Sequence, residues 1–325
     1  MLNAVHVDEK KRTEAHLIGL FNRTVHMVAA GIRPVYVFDG QQPTLRSGEL
    51  ARLSLRKRET YRDLLEAKDF GRPDGIDKFG SRKVWQTRQH DAECQRLLKL
   101  MGIPFVVAPT EAVAQCAALA RAGKVYAAAT EDLVALAFGS PMLLRHVTFS
   151  EPRKALIQEF NLQRILDRLS ISREQFVDMC ILMGCDYLDP IQNVGPHTAL
   201  KLIRDHGSLD AAVTAIQNSA EPKYVVPRDW AYAEVRELFL EPDVAPDSET
   251  DFKWQKPDVA GIIQYLVAEQ NFSEKKVREN AERLEAAFKR GTQSRVDGFF
   301  KKTDELKASQ KRKQEDQNEG ASHKQ

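Results

Sequence analysis

Four acidic residues stand at the ends of apolar runs. Asp39 closes the run in "PVYVFDG", and Glu111 lies four residues past the run in "IPFVVAP". Asp132 follows "KVYAAAT", and Asp186 ends an apolar stretch in "LMGCDYLDP". In α/β sheets, sites form beyond the carboxyl ends of the strands, so these acids could share one rim. Carboxylates brought together repel one another unless a cation sits between them. Oxygen-only ligands suit Mg²⁺. Two such ions roughly 4 Å apart activate water and steady the leaving oxygen of a phosphodiester. The same residues have an ordinary structural account: first-turn acids favour a helix dipole, and Asp-Gly is a common turn pair.

The elements that must position the acids follow from periodicity. Leu17, Leu20, Phe21, Val25 and Val28 recur at helical spacing between Thr13 and Ala30, and Gly31 offers a stop. Val35–Phe38 reads as a buried strand, "IPFVVAP" as a second, "KVYAAAT" as a third and "MLLRHV" as a fourth. A long basic helix is expected over 47–67, a Gly- and Pro-containing loop over 69–82, and another helix over 83–101. Thr110 is the expected N-cap of a helix stopping near Gly123. Strands alternating with helices argue an α/β fold with a mainly parallel sheet flanked by helices. From 157 to 288 the pattern turns mostly helical, and Ser172 with Gln175 resembles a capping box. After Arg290 Lys, Gln, Glu and Ser dominate, which predicts a disordered tail.

With 42% hydrophobic and 29% charged residues among 325, the chain can bury a sizeable core. A net charge of +2 does not by itself announce a nucleic acid. No run of 18 apolar residues suggests a membrane span. The four cysteines contain no CxxC pair, which argues against zinc.

Beyond these patterns, "GIRPVYVFDG", "RSGELA", "HDAECQRLLKLMGIPF", "AALARAGKVYAAATED", "FGSPMLLRH" and "LMGCDYLDPIQNVGP" resemble the structure-specific 5′ nuclease family, of the XPG/Rad2-like kind. The resemblance runs from about Thr13 to Phe300. It implies a PIN-like core with a helical arch at about 47–101, inside an N-terminal nuclease region over 1–150. An internal nuclease and helical DNA-binding region over 151–288 would follow, then a flexible tail over 289–325. It further implies a monomeric phosphodiester hydrolase that uses two Mg²⁺ ions to cut 5′ flaps of branched DNA during replication and repair.

The resemblance assigns metal roles to Asp39, Glu111, Asp132 and Asp186. It also implies a second acid in each of two pairs, where this chain has Val113 and Val134. A further family acid lies on an N-terminal strand upstream of where this chain starts. Four of seven family acids are therefore matched, and strongly impaired cleavage is expected. The competing expectations are a non-catalytic DNA- and clamp-binding protein and a truncated gene product.

Arg46, Arg52 and Arg56 fall in the basic stretch, where cations on one helix can meet phosphates without reading sequence. The resemblance gives Arg46 a contact near the scissile phosphate and places Lys78, Arg82 and Arg88 on the arch. "NVGPHTALKLI" reads as a helix-hairpin-helix turn, with Gly195 and Pro196 presenting backbone to a phosphate. In the tail, Gln293, Val296, Phe299 and Phe300 fit Q-x-x-aliphatic-x-x-aromatic-aromatic. Paired aromatics are out of place in a polar segment and suit a hydrophobic pocket. The pattern resembles the box that binds the sliding clamp, proliferating cell nuclear antigen. The family location is the nucleus, with nucleolus or mitochondrion as further family sites.

Overall fold

The computed structural model describes residues 15–40, 88–147, 156–218, 224–227, 230–246 and 250–289. The chain divides into two compact units, Val35–Gln255 and a second one formed by Met1–Pro34 with Lys256–Gln325. Among the described residues no helix is long and apolar enough to cross a membrane.

In the larger unit β1 (Tyr36–Phe38) and β2 (Phe105–Val107) pair in parallel, with Tyr36 opposite Phe105 and Phe38 opposite Val107. The Phe38 and Phe105 rings meet edge to face at 5.6 Å. Parallel neighbours require a crossover, and the chain between them includes α2 (Arg88–Leu100). That helix stops where expected: Gly102 takes φ 70°, and Ile103 N donates to Leu98 O at 2.9 Å. A left-handed residue at this place is a common helix ending.

A second ladder joins β3 (Ala128–Ala129) in parallel to β4 (Met142–Arg145), and β4 antiparallel to β5 (Gln158–Asn161). Helix α3 (Ala112–Arg121) packs on both β1 and β3, so one helix touches both ladders. Two differences from the sequence expectation have local causes. The third strand keeps only two of the residues in "KVYAAAT", because alanine has little to hold a pleated surface. β5 lies where a mostly helical region was expected. Its four residues "QEFN" carry no decisive period, and the strand is defined by its pairing with β4.

The remaining helices of this unit are α4 (Val134–Ala137), α5 (Leu162–Leu169), α6 (Arg173–Met183), α7 (Pro196–His206), α8 (Leu209–Gln217) and α9 (Tyr232–Leu240). The Ser172–Gln175 capping box is complete: Gln175 N donates to Ser172 Oγ at 3.2 Å, and Ser172 N donates to Gln175 Oε1 at 2.9 Å. Phe138, Leu143, Ile181, Leu182, Ile203, Val235 and Phe239 lie in one buried cluster. Asp178, also buried, ties three helices together. It accepts from Leu209 N at 2.9 Å and pairs with Arg236 Nε at 2.5 Å, while Arg236 also reaches Asp210 at 2.9 Å.

The second unit packs α1 (Ala15–Ala29) against α11 (Glu274–Lys289), with α10 (Val259–Ile263) and a π-helical turn (Gln264–Glu269) before α11. The helical stripe read from the sequence is its core: Leu17, Phe21 and Val25 are buried, and Leu20 is half-buried. Asn280 Nδ2 donates to Asn22 Oδ1 at 3.1 Å between these two helices.

Candidate functional site

Asp39 leaves the carboxyl end of β1 and is exposed. Its Oδ1 accepts from Ala112 N at 2.7 Å, the first residue of α3. A carboxylate at this place satisfies an orphan amide and meets the positive end of the helix dipole. Gly40 makes the approach possible. Its N–H donates to Thr110 O at 2.7 Å, and a Cβ there would lie 1.8 Å from Ala108 O.

Glu111 is the N-cap residue of α3, in extended conformation and without a side-chain cap bond. This corrects the expectation for Thr110, whose hydroxyl donates instead to Asp243 O at 3.0 Å. The Glu111 side chain points elsewhere, accepting from the Tyr187 hydroxyl. Burial raises the Glu111 pKa, with the charges of Asp39, Asp186 and Asp132 adding to the rise and the Tyr187 bond partly offsetting it. Asp39, Asp186 and Asp132 thus lie close enough for their charges to act on Glu111. Burial likewise raises the Tyr187 pKa, followed by the Glu111 charge.

Asp132 accepts from Val134 N at 2.9 Å through Oδ1, and its own N–H is held by Thr130 Oγ1 at 3.1 Å. This turn leads into α4. Asp186 is exposed, just beyond Gly184, whose positive φ of 88° ends α6. Val113 and Val134 are half-buried and pack against the hydrophobic core. Neither side chain carries an atom that can bind a cation.

No three described His, Cys, Asp or Glu side chains gather tightly enough to enclose an ion. A hydrated Mg²⁺ asks less, because it keeps several waters and takes one or two carboxylates directly. The donors present fit such an ion chemically. They are oxygen-only, and the like charges around Glu111 are what a cation would relieve.

Away from the acids, Pro196 is the first residue of α7, and Gly195 caps it in extended conformation. Both are exposed, and a Cβ at Gly195 would meet nothing within 4 Å. The turn is thus open to an approaching group. Asn193 precedes it at φ 63°. Arg88 begins α2. Arg46, Arg52, Arg56, Lys78 and Arg82 lie outside the described residues, as do Gln293, Val296, Phe299 and Phe300.

Sequence reasoning missed Tyr187, although it directly follows Asp186. It also missed Gln115, a buried residue whose Oε1 accepts from Ala245 N at 2.6 Å. A glutamine inside the apolar run of α3 was the available signal.

A parallel strand pair and a mixed ladder are bridged by α3, with acids at the start of that helix, and likeness to known proteins puts this core among the structure-specific 5′ nucleases. The XPG I-region matches residues 102–186, and the XPG N-terminal domain matches residues 2–60. The fold resembles flap endonuclease-1 from Methanococcus jannaschii, with TM-score 0.61 and 28% identity over 84% of this chain and 81% of that one. It also resembles the catalytic core of Rad2 in complex with DNA substrate, with TM-score 0.66 and 24% identity over 83% of this chain and 84% of that one.

In sequence the chain is 57% identical over 317 residues to flap endonuclease 1 of Fusarium vanettenii, covering 96% of this chain and 80% of that protein. To flap endonuclease 1 of Neurospora crassa it is 54% identical over 316 residues, with the same coverage. The chain belongs to the flap endonuclease 1 family.

Proposed function

We propose that this protein binds branched DNA with 5′ flaps in replication and repair, holds Mg²⁺ weakly at the acid rim, and cleaves far more slowly than its relatives. The observation that carries this reading is the contrast at one rim. Asp39 is bonded to Ala112 beside Glu111, and Tyr187 beside Asp186 is bonded to Glu111, while the Val113 and Val134 side chains are apolar and packed on the core.

Bound Mg²⁺ supplies Lewis-acid stabilisation of a phosphodiester and a more acidic water. The chain's own residues do the rest. Asp39, Glu111, Asp132 and Asp186 would hold the hydrated ion. The Asp39–Ala112 and Tyr187–Glu111 bonds orient two of those carboxylates. The open Gly195–Pro196 turn would take a phosphate of the duplex, sequence-blind and salt-sensitive. Each ~1.4 kcal/mol of lost transition-state stabilisation is tenfold in rate, so losing carboxylates from a two-ion site slows cleavage by several decades.

The half-buried packing of both valines also favours a second reading, a DNA- and clamp-binding protein without turnover. In either reading Gln293, Val296, Phe299 and Phe300 dock on the sliding clamp, and the protein works in the nucleus. Single-turnover cleavage of a 5′-flap substrate in Mg²⁺, beside an equilibrium binding titration, tests the proposal. Tight binding with a rate several decades below that of an intact relative is expected. A rate within about tenfold of that relative overturns the site reading.

A further inference from the structure

Glu111 is reached by two arms from α9. One is aromatic: Phe239 of α9 meets the Tyr187 ring edge to face at 5.8 Å, and the Tyr187 hydroxyl donates to Glu111. The other is the strap of chain that follows α9. Asp243 O accepts from the Thr110 hydroxyl at 3.0 Å, and Ala245 N donates to the Gln115 side chain at 2.6 Å. Thr110 immediately precedes Glu111, and Gln115 lies one helical turn after it, its N–H donating to Glu111 O at 3.1 Å. The strap therefore grips α3 on both sides of the acid.

The other end of this connection is the helix-hairpin-helix region. α9 packs on α6, and α6 packs on α7, the helix that begins at Pro196. Arg236 of α9 is paired with the buried Asp178 of α6, so these two helices are tied by charge as well as by packing. Gln115 is 1% exposed, and a buried amide oxygen with one backbone donor is costly to displace. The strap cannot slide along α3 without leaving the Ala245 N–H or the Gln115 oxygen unpaired.

We propose that Thr110 and Gln115 are positioning residues. Through the Asp243–Ala245 strap they transmit DNA docking on the α6–α7 hairpin to the backbone that carries Glu111. This rests on the reading of α6–α7 as a DNA-binding element and of Glu111 as part of the acid rim. The two strap bonds bracket the first turn of α3, whose leading amides have no intrahelical partner and depend on outside contacts such as Asp39 to Ala112 N.

The test is hydrogen exchange of the full chain, with and without a 5′-flap DNA, read on the peptide spanning Thr110–Cys116. In the native chain, DNA should slow exchange of this peptide at least threefold. Thr110→Val keeps the volume and removes the donor. It should bind the DNA with affinity within about threefold of native, yet lose most of the added protection, and Thr110→Ser should restore it. Gln115→Met should behave as Thr110→Val does. Where Gln115→Met fails to fold, the valine and serine variants still decide the matter. Retained protection in Thr110→Val overturns the proposal, as does DNA binding by the native chain with no change at Thr110–Cys116. Absence of DNA binding by the native chain overturns this proposal together with the DNA-binding reading, and the binding titration separates that failure from the others.

Discussion

The Tyr187 hydroxyl donates to the Glu111 carboxylate, joining the loop after α6 to the first turn of α3. Tyr187 is buried, with its ring against Phe239, so its position is set by the core and Glu111 is held to the core through it. A hydrogen bond to a charged group contributes about 1.5–3 kcal/mol. Tyr187→Phe should lower stability by about that amount, measured by urea denaturation. It should also raise the Glu111 pKa further, because this bond is the one contribution that lowers it. A variant as stable as the native chain would show that the bond is not formed in solution.

The pH dependence of stability follows from the same residue. Burial, then the charges of Asp39, Asp186 and Asp132, raise the Glu111 pKa, so the folded chain holds this proton more tightly than the unfolded chain does. The cost of ionising Glu111 is therefore fully present above its raised folded pKa and vanishes below the ordinary unfolded value of about 4.3. Glu111→Gln keeps an acceptor for Tyr187 and removes the charge. Its melting temperature should exceed the native value near neutral pH, and the gap should close as pH falls towards about 4. Thermal melts across that range check it; a gap that widens on acidification contradicts the sign.

The places of the four acids at element ends, the strands before them and the helical stripe Leu17–Phe21–Val25 were legible because each is local in sequence. A period or a strand end announces them. β5 was not legible, since "QEFN" is a strand only by its pairing with β4. Thr110 was misassigned for a related reason. A hydroxyl two residues before a helix is a plausible cap, but Asp243, far along the chain, competes for it. Tyr187 and Gln115 take their roles from partners 76 and 130 positions away. No spacing rule reaches that far.

The two valines give a gain-of-function prediction. Val113→Glu with Val134→Asp returns a carboxylate to each pair and should raise Mn²⁺ affinity at least tenfold by titration calorimetry, with faster flap cleavage. Both side chains pack against the core, so the new charges cost stability, about 1–3 kcal/mol for each site in chemical denaturation. Unchanged metal affinity in a folded double variant would refute the account of lost ligands.

Gly40 provides the sharpest steric prediction. In the sequence it reads as half of a common turn dipeptide. In the fold, a Cβ on it would sit 1.8 Å from Ala108 O and 2.6 Å from Pro109 O, both backbone atoms. The backbone has little room to withdraw, because Gly40 N is bonded to Thr110 O at 2.7 Å and Ala108 N to Phe38 O at 2.9 Å. Overpacking usually costs about 1–3 kcal/mol, and with fixed backbone on the receiving side Gly40→Ala should reach at least the upper end. Asp39 is the adjacent residue, so the same displacement should break its bond to Ala112 N and release the start of α3. Asp39→Asn is the matched control: it keeps an acceptor oxygen and introduces no clash, so it should lose less than half as much stability. Urea midpoints of the two variants decide the point. Equal losses would mean that the carboxylate charge, and not the close backbone approach, holds β1 to α3.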